Sequence, residues 1–297
     1  MCYNHTSSYI KFLGTAGTRF VVSKQIRASG GIWLFLNGIH VHLDPGPGAL
    51  VKSIQSHLNP QDLSAIILSH RHLDHSNDVN IMIEAMTNGG TNRKGTLFCP
   101  KDALDNDPVV FEYIQGYVET IEILREGERY RIGRGITVSS DRLPDSSHQA
   151  EVIGQEKAPL SVEFDVPVRN IHGGVQAYGL RFFSSEGTIG YVGDTRFFEG
   201  LIDAYQGVEI LIINAVIENQ MCGVDHLCVE DTIRLINGVS PKLAVLTHFG
   251  TSMINAQPEI VAEKIARITQ INTVASVDEM VVGIGEEMGV LFPVVSG

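Results

Sequence analysis

The sequence predicts an α/β domain in which two sheets lie between helical layers. Three observations lead there. Short apolar runs of strand length recur along the chain, several of them before each helical pattern. No second hydrophobic core, fixed-period repeat or low-complexity tract interrupts them. The 297 residues, 43% hydrophobic and 19% charged, suit a layered fold that uses the whole chain, 1–297, as one domain.

The elements follow in order. Tyr9 to Leu13 reads as a strand, closed by the glycine-punctuated turn Gly14-Thr15-Ala16-Gly17. Ile32 to Asn37 and Ile39 to Leu43 read as two strands joined at Asn37-Gly38, a hairpin signal because both residues tolerate positive φ. Asp44-Pro45-Gly46-Pro47-Gly48 cannot continue a ladder and is a loop. A helix is expected over Ala49 to Ser56, a buried strand over Ala65 to Leu68, and a helix capped by Asn77 or Asp78 and ending near Met86. The stretch from Thr96 to Asp165 is harder to read. Leu97 to Cys99 is strand-like, Val109 to Val118 helix-like, and Ile121 to Val138 strand-like again. The polar segment Asp141 to Ala158 reads as a surface loop, a candidate lid. Tyr178 to Phe183 and Thr188 to Val192 form a second hairpin, and Val208 to Ile213 and Leu243 to Leu246 are buried strands. Val229 to Ile236 and Glu259 to Thr269 are helical in pattern, and Val281 to Ile284 and Val290 to Phe292 are closing strands.

Charge and composition narrow the function. With 22 Lys and Arg against 34 Asp and Glu, the formal charge is −12, which repels phosphate backbones and argues against an extensive nucleic-acid interface. A small anionic substrate stays open, because bound cations reverse the field locally. Cys2, Cys99, Cys222 and Cys228 show no paired spacing, so reduced thiols are expected. Met1 to Lys11 lacks the apolar core of a signal peptide, and no run reaches the ~18 apolar residues of a membrane span. The expectation is a cytoplasmic chain without a membrane contact. A homodimer is expected only on the general frequency of that state.

The sharpest feature is Ser69-His70-Arg71-His72-Leu73-Asp74-His75-Ser76, directly after an apolar strand. In extended chain His70 and His72 project from one face, about 6 to 7 Å apart. Imidazoles bind zinc at ~2.1 Å, so two such rings can converge on one ion. Asp74 and His75, leaving the strand in the turn, can aim at a second. The bland alternative is a polar helix cap with a chance run of histidines.

This run resembles the HxHxDH motif of the metallo-β-lactamase superfamily, and the resemblance extends over most of the chain. Family members open with a strand and glycine turn similar to Phe12-Leu13-Gly14-Thr15-Ala16-Gly17. They carry an aspartate after an early strand (here Asp44) and a third histidine before a hairpin (here His172). A later aspartate follows in Gly193-Asp194-Thr195, and a last histidine in Leu246-Thr247-His248-Phe249. The resemblance implies a four-layer αββα sandwich and two divalent metal ions, zinc before manganese or iron. One ion would be held by His70, His72 and His172, the other by Asp74, His75 and His248, with Asp194 bridging. Water between the ions would serve as nucleophile at neutral pH. Asp44 would fix the tautomer of a ligand histidine; its alternative is a turn-forming aspartate before proline.

His226, 22 residues before His248, is the informative extra. Phosphodiesterase branches, including the tRNA 3′-processing endonucleases, have a histidine at a similar place, where it meets the scissile phosphate or protonates the leaving oxygen. The resemblance therefore assigns catalytic roles to Asp74 and His226; a helix-capping or core histidine is the alternative for His226. Asp225 beside it is a candidate to orient the ring. His148 rivals His172 as third histidine, but His172 stands 22 residues ahead of Asp194, as in compact family members. His40 and His42 imitate half a metal site but read as strand histidines, and His5 and His57 as surface residues. Arg196 meets either substrate or an outward salt bridge.

Only 21 residues separate His172 and Asp194, too few for the RNA-gripping arm of many tRNA-processing members. Asn214-Ala215-Val216-Ile217 also stands where those enzymes have a histidine-glutamate-alanine-threonine run. The function expected is cleavage of a small phosphodiester, His226 assisting the leaving group. The alternatives are an acyl hydrolase (lactonase or thioesterase) on the same site, and a non-catalytic metal-binding protein.

Overall fold

The computed structural model describes residues 7–133, 160–285 and 288–293. The polar segment 141–158 with His148, and His5, lie outside the described residues. Six strands come first: β1 (Tyr9–Gly14), β2 (Ser29–Leu36), β3 (Ile39–Leu43), β4 (Leu63–Ile67), β5 (Thr96–Cys99) and β6 (Thr120–Ile123). The second sheet takes β7 (Arg129–Gly133), β8 (Ser161–Asn170), β9 (Ala177–Ser184), β10 (Gly187–Val192), β11 (Ile210–Asn214), β12 (Leu243–Thr247) and β13 (Asn272–Ala275). The last strands, β14 (Val281–Gly283) and β15 (Val290–Leu291), return beside β1, so the first sheet runs β15-β14-β1-β2-β3-β4-β5-β6. The second runs β13-β12-β11-β10-β9-β8-β7.

Helices cover both outer faces. They are α1 (Thr18–Ser23), α2 (Ala49–Gln55), α3 (Leu73–Ser76), α4 (Val79–Met86), α5 (Glu112–Gln115), α6 (Leu201–Ala204), α7 (Val229–Val239), α8 (Thr251–Asn255) and α9 (Pro258–Thr269). Strand alternation sorts the side chains into layers. On β11, Ile210 and Ile212 join the core between the sheets, while Leu211 and Ile213 join α6, α7 and α9 outside. Strands paired in parallel are buried on both faces, which is why Ile210–Ile213 and Leu243–Leu246 are unbroken apolar runs. On the other side Val79, Met82, Ile83 and Met86 place one stripe of α4 against Leu13, Trp33, Ile66 and Leu97. Helix, sheet, sheet, helix: the four-layer αββα sandwich is the observed architecture.

Most element readings hold, and the departures have local causes. The hairpin pairs Leu36 with Ile39 around Asn37 (φ 51°) and Gly38 (φ 80°), a turn with both central residues at positive φ. Asp78 is the N-cap residue of α4, yet its side chain does not cap that helix; it accepts a hydrogen bond from the Leu50 N–H at 3.4 Å. The helix expected over Val109 to Val118 shrinks to α5. The Asn80 side chain holds Val109 O at 2.8 Å and Phe111 N at 2.9 Å, which fixes this stretch as a loop before Glu112. Strand β8, which no sequence reading marked, begins in the difficult stretch and runs past its end at Asp165. Val162, Phe164 and Val166 alternate into the core between the sheets, but Pro167 breaks the ladder, the register shifts between Asp165 and Val168, and Val168 joins the outer core instead.

The topology brings many chain turns to one end. β3 runs into Asp44, β4 into Ser69 and His70, β8 into His172, β10 into Asp194, β11 ends on Asn214, and β12 runs into His248. β3 and β4 are parallel, as are β10, β11 and β12, so their carboxyl ends share an edge, where open α/β sheets place their sites.

Candidate metal centre

All seven residues expected as ligands meet at this edge. His70, His72 and His172 form one compact group and Asp74, His75 and His248 another; His70, His75 and Asp194 form a third between them, with ligand atoms in each group within 4.8 Å of one another. His72 Nδ1 lies 3.0 Å from His172 Nε2, and His75 Nε2 lies 3.1 Å from His248 Nε2. Asp194 reaches both sides: Oδ2 is 3.5 Å from His172 Nε2 and 3.6 Å from His75 Nε2, while Oδ1 is 3.4 Å from His248 Nε2. Asp74 Oδ2 is 3.5 Å from His248 Nε2.

The backbone is bent to make this possible. Asp44 (φ 52°) and His248 (φ 58°) both take the left-handed region, which Asp and His enter more readily than most residues. The glycine turn after β1 packs on the second of them. Phe249 N–H donates to Thr15 O at 2.9 Å and Gly17 N–H to Phe249 O at 3.0 Å, and a Cβ at Gly17 would stand 2.1 Å from His248 O.

Asp44 organises the histidines. Its Oδ1 accepts from Ser69 N–H at 2.6 Å; its Oδ2 accepts from the Ser69 hydroxyl at 2.6 Å, the Tyr191 hydroxyl at 2.8 Å and His75 Nδ1 at 3.0 Å. The single Ser69 hydroxyl proton is thereby spent on Asp44, so the Ser69 oxygen accepts from His70 Nδ1 at 3.1 Å. That leaves His70 Nε2 as a buried lone pair with no hydrogen-bond partner. Burial also drives the His70 imidazole well below its ordinary range, helped by the neighbouring His75, so it is neutral. A neutral, desolvated nitrogen aimed into a ring of other donors fits a metal ion and little else.

Electrostatics agree. Burial opposes the charged form of Asp194, yet His248, His75 and His226 around it hold its carboxyl well below the usual range. His75 is raised well above the ordinary imidazole value: burial resists, and Asp194 and Asp44 overcome it. His248 is likewise raised to about 9 by Asp194 against burial. A charged carboxylate set among imidazoles is a donor set that suits a divalent cation.

The sequence model of the Beta-lactamase superfamily domain matches residues 40–249. The chain belongs to the metallo-β-lactamase superfamily. Superfamily relatives include an uncharacterized protein of Methanocaldococcus jannaschii, 32% identical over 271 residues and covering 89% of this chain and 91% of that protein. A ribonuclease Z of Kineococcus radiotolerans is 22% identical and covers 87% of this chain and 88% of its own. A solved structure described as a new diphosphatase from the PhnP family overlays with TM-score 0.62 at 18% identity, over 93% of this chain and 97% of that one. The chain therefore combines the superfamily fold with a His/Asp cluster able to hold divalent metal.

Other expectations resolve individually. His226 lies at the cluster: its Nδ1 is 3.7 Å from Asp194 Oδ2, its ring is 4.9 Å from that of His172, and its side chain is 14% exposed. Burial lowers its imidazole. Asp225 does not orient His226. Its backbone oxygen accepts from His172 Nδ1 at 3.0 Å and its carboxylate from Gly173 N–H at 3.1 Å, so it serves the third histidine, because adjacent residues of this loop point apart. Arg196 pairs with Asp225 at 3.8 Å and stays half exposed. His40 accepts from Trp33 Nε1 at 3.0 Å, buried His42 donates from Nε2 to Gly30 O at 2.8 Å, and His57 is exposed; none belongs to the cluster. Sequence reasoning missed Ser69, Tyr191, Asn214 and the role of Asp225. The one available signal was a polar residue inside or ending a buried apolar strand, as in Ile212-Ile213-Asn214.

Proposed function

We propose that the chain is a dinuclear metal-dependent phosphodiesterase of small substrates. His70, His72 and His172 would hold one ion, Asp74, His75 and His248 the other, and Asp194 both. Divalent ions held here would supply an acidified water and a positive field against the charge developing on phosphorus. The residues around them do the rest. Asp44 and Ser69 fix which nitrogen of His75 and His70 faces inward, and Asp225 does so for His172. His226 donates a proton to the departing oxygen, and Arg196 offers a charge to an anionic substrate at the rim.

The observation that carries this reading is the place of His226, held against the cluster with its side chain only partly buried. Its backbone is pinned: Ile217 N–H bonds Leu227 O, and Cys228 caps α7 by accepting from Asp231 N–H while Asp231 accepts from Cys228 N–H. Two similar proteins, by name a ribonuclease and a diphosphatase, are enzymes of phosphate chemistry. A small substrate is favoured because β9, β10 and their short turn take up most of the path from His172 to Asp194, leaving no gripping arm there. No helix among the described residues is long and apolar enough to cross a membrane.

The test is turnover of bis(p-nitrophenyl) phosphate against p-nitrophenyl acetate by zinc- and manganese-loaded protein, with His226→Ala alongside. Diester cleavage falling roughly 10² to 10⁴-fold in the variant supports the reading. Ester cleavage alone, indifferent to His226, refutes it and favours an acyl hydrolase. His226, His172 and Asp194 also form a compact donor group, so ions bound per chain are counted in the same variant. An unchanged count keeps His226 as proton donor; a lost ion makes it a ligand.

A further inference from the structure

Behind the histidines a chain of hydrogen bonds joins the two buried carboxylates. Asn214 Nδ2 donates to Asp194 Oδ1 at 2.7 Å and lies 3.3 Å from the Tyr191 hydroxyl; that hydroxyl donates to Asp44 Oδ2 at 2.8 Å. Tyr191 is 2% exposed and Asn214 1%, so the chain of bonds is buried. Asn214 Oδ1 has no partner among the described protein atoms, and Asn214 borders a small cavity of about 20 Å³ that Tyr191, Asp44, Asp74, His75 and His248 also line. An amide buried at the end of an apolar strand is desolvated at a cost to stability. A purely structural position would be filled more cheaply by another isoleucine or leucine. What the amide supplies instead is one donor fixed on one oxygen of Asp194.

That donor selects how Asp194 meets its neighbours. A free carboxylate can rotate and offer both oxygens to one side. With Oδ1 tied to Asn214, it faces His248 at 3.4 Å, and Oδ2 is left among His172, His226 and, from the other group, His75 at 3.6 Å. Tyr191 backs the amide, and because it also bonds Asp44, the carboxylate that orients His75 and the carboxylate between the two groups are set by one continuous network.

We propose that Asn214, backed by Tyr191, is a positioning residue that holds Asp194 in its bridging orientation and so governs whether the second ion binds. The inference rests on the two-ion reading of the site. Asn214→Leu keeps the shape and removes the donor. Asn214→His returns an N–H at nearly the position of the amide, with the cavity beside it to take the ring. Tyr191→Phe removes the supporting hydroxyl without loss of bulk.

The test is calorimetric titration of metal-stripped protein with zinc, paired with the visible spectrum of the cobalt-substituted form and urea unfolding of the metal-free form. In Asn214→Leu the second ion binds about 10 to 100-fold more weakly, the first little changed, and the cobalt spectrum shifts. Asn214→His recovers at least part of that loss, and Tyr191→Phe shows the same change in smaller degree. If Asn214→Leu does not fold, Tyr191→Phe alone decides. Two ions in the parent and unchanged affinities and spectrum in the variants overturn the inference, as does a loss of metal-free stability with no change in zinc affinity. Fewer than two ions in the parent overturns the two-ion reading beneath it.

Discussion

Replacing Asp44 by Asn probes the organiser of the centre with almost no change in shape. The backbone there has φ 52°, and Asn accepts the left-handed region as readily as Asp, so no conformational strain is added. The change is confined to hydrogen bonds. Asp44 receives four donors, one on Oδ1 and three on Oδ2. An amide has one acceptor oxygen, and because three donors crowd Oδ2, the NH₂ group turns towards Oδ1 and faces the Ser69 N–H, donor against donor. One buried donor unsatisfied costs about 1–3 kcal/mol. His75 also loses a carboxylate partner for a weaker amide oxygen, which makes its other nitrogen a poorer ligand. Outer partners of this kind alter metal affinity by about 10 to 100-fold, or about 1.4 to 2.8 kcal/mol. Urea unfolding of the metal-free protein reads the first figure and zinc titration the second. Since His75 touches Asp44 directly and His70 only through Ser69, the ion held by His75 weakens more. Asp44→Asn with unchanged stability and unchanged zinc affinity refutes the role given to Asp44.

Further predictions follow from neighbouring contacts. Gly17→Ala places a Cβ 2.1 Å from His248 O, so the chain must shift; overpacking of this order costs about 1–3 kcal/mol. Both thermal stability and zinc affinity fall, whereas Gly127→Ala, whose Cβ meets nothing within 4 Å, leaves affinity alone. Burial pushes His42 down from 6.5 to about 4, so between those values the unfolded chain binds a proton that the folded chain refuses. Stability is full above about pH 6.5 and is lost as pH falls towards 4, a difference of about 3 kcal/mol. His42→Gln keeps a donor for Gly30 O and removes the titration; urea unfolding at pH 7 and pH 4 should find the variant losing about 3 kcal/mol less than the parent. Asp225→Asn keeps the backbone oxygen that His172 uses and alters the acceptor of Gly173 N–H and the pairing with Arg196, so zinc affinity stays within a few-fold while KM for an anionic diester changes.

The sequence carried the parts that depend on local chemistry. The apolar run Ile32–Leu36, the Asn37-Gly38 turn and the unbroken apolar runs of β11 and β12 are strand-length segments bounded by turn residues, and the structure has strands and a hairpin there. The cluster from His70 to His75 was legible because four donors fall within six positions. His172, Asp194 and His248 are single residues far apart in sequence; only motif order linked them, and the edge shared by β8, β10 and β12 is what brings them together. Tertiary contacts hid the rest. Asn80 overrides the helical pattern after Val109, and Pro167 disguises β8. Tyr191, Asn214 and the backbone oxygen of Asp225 act through bonds to residues 20 to 147 positions away, which no local pattern encodes.

The most direct test of the account is a titration of metal-stripped protein with zinc in which bound ions and turnover of bis(p-nitrophenyl) phosphate are followed together. The account predicts no turnover without metal, and activity that rises until two ions are bound per chain. Turnover in the stripped protein, or a chain that takes up two ions and cleaves no diester with zinc or manganese, contradicts it.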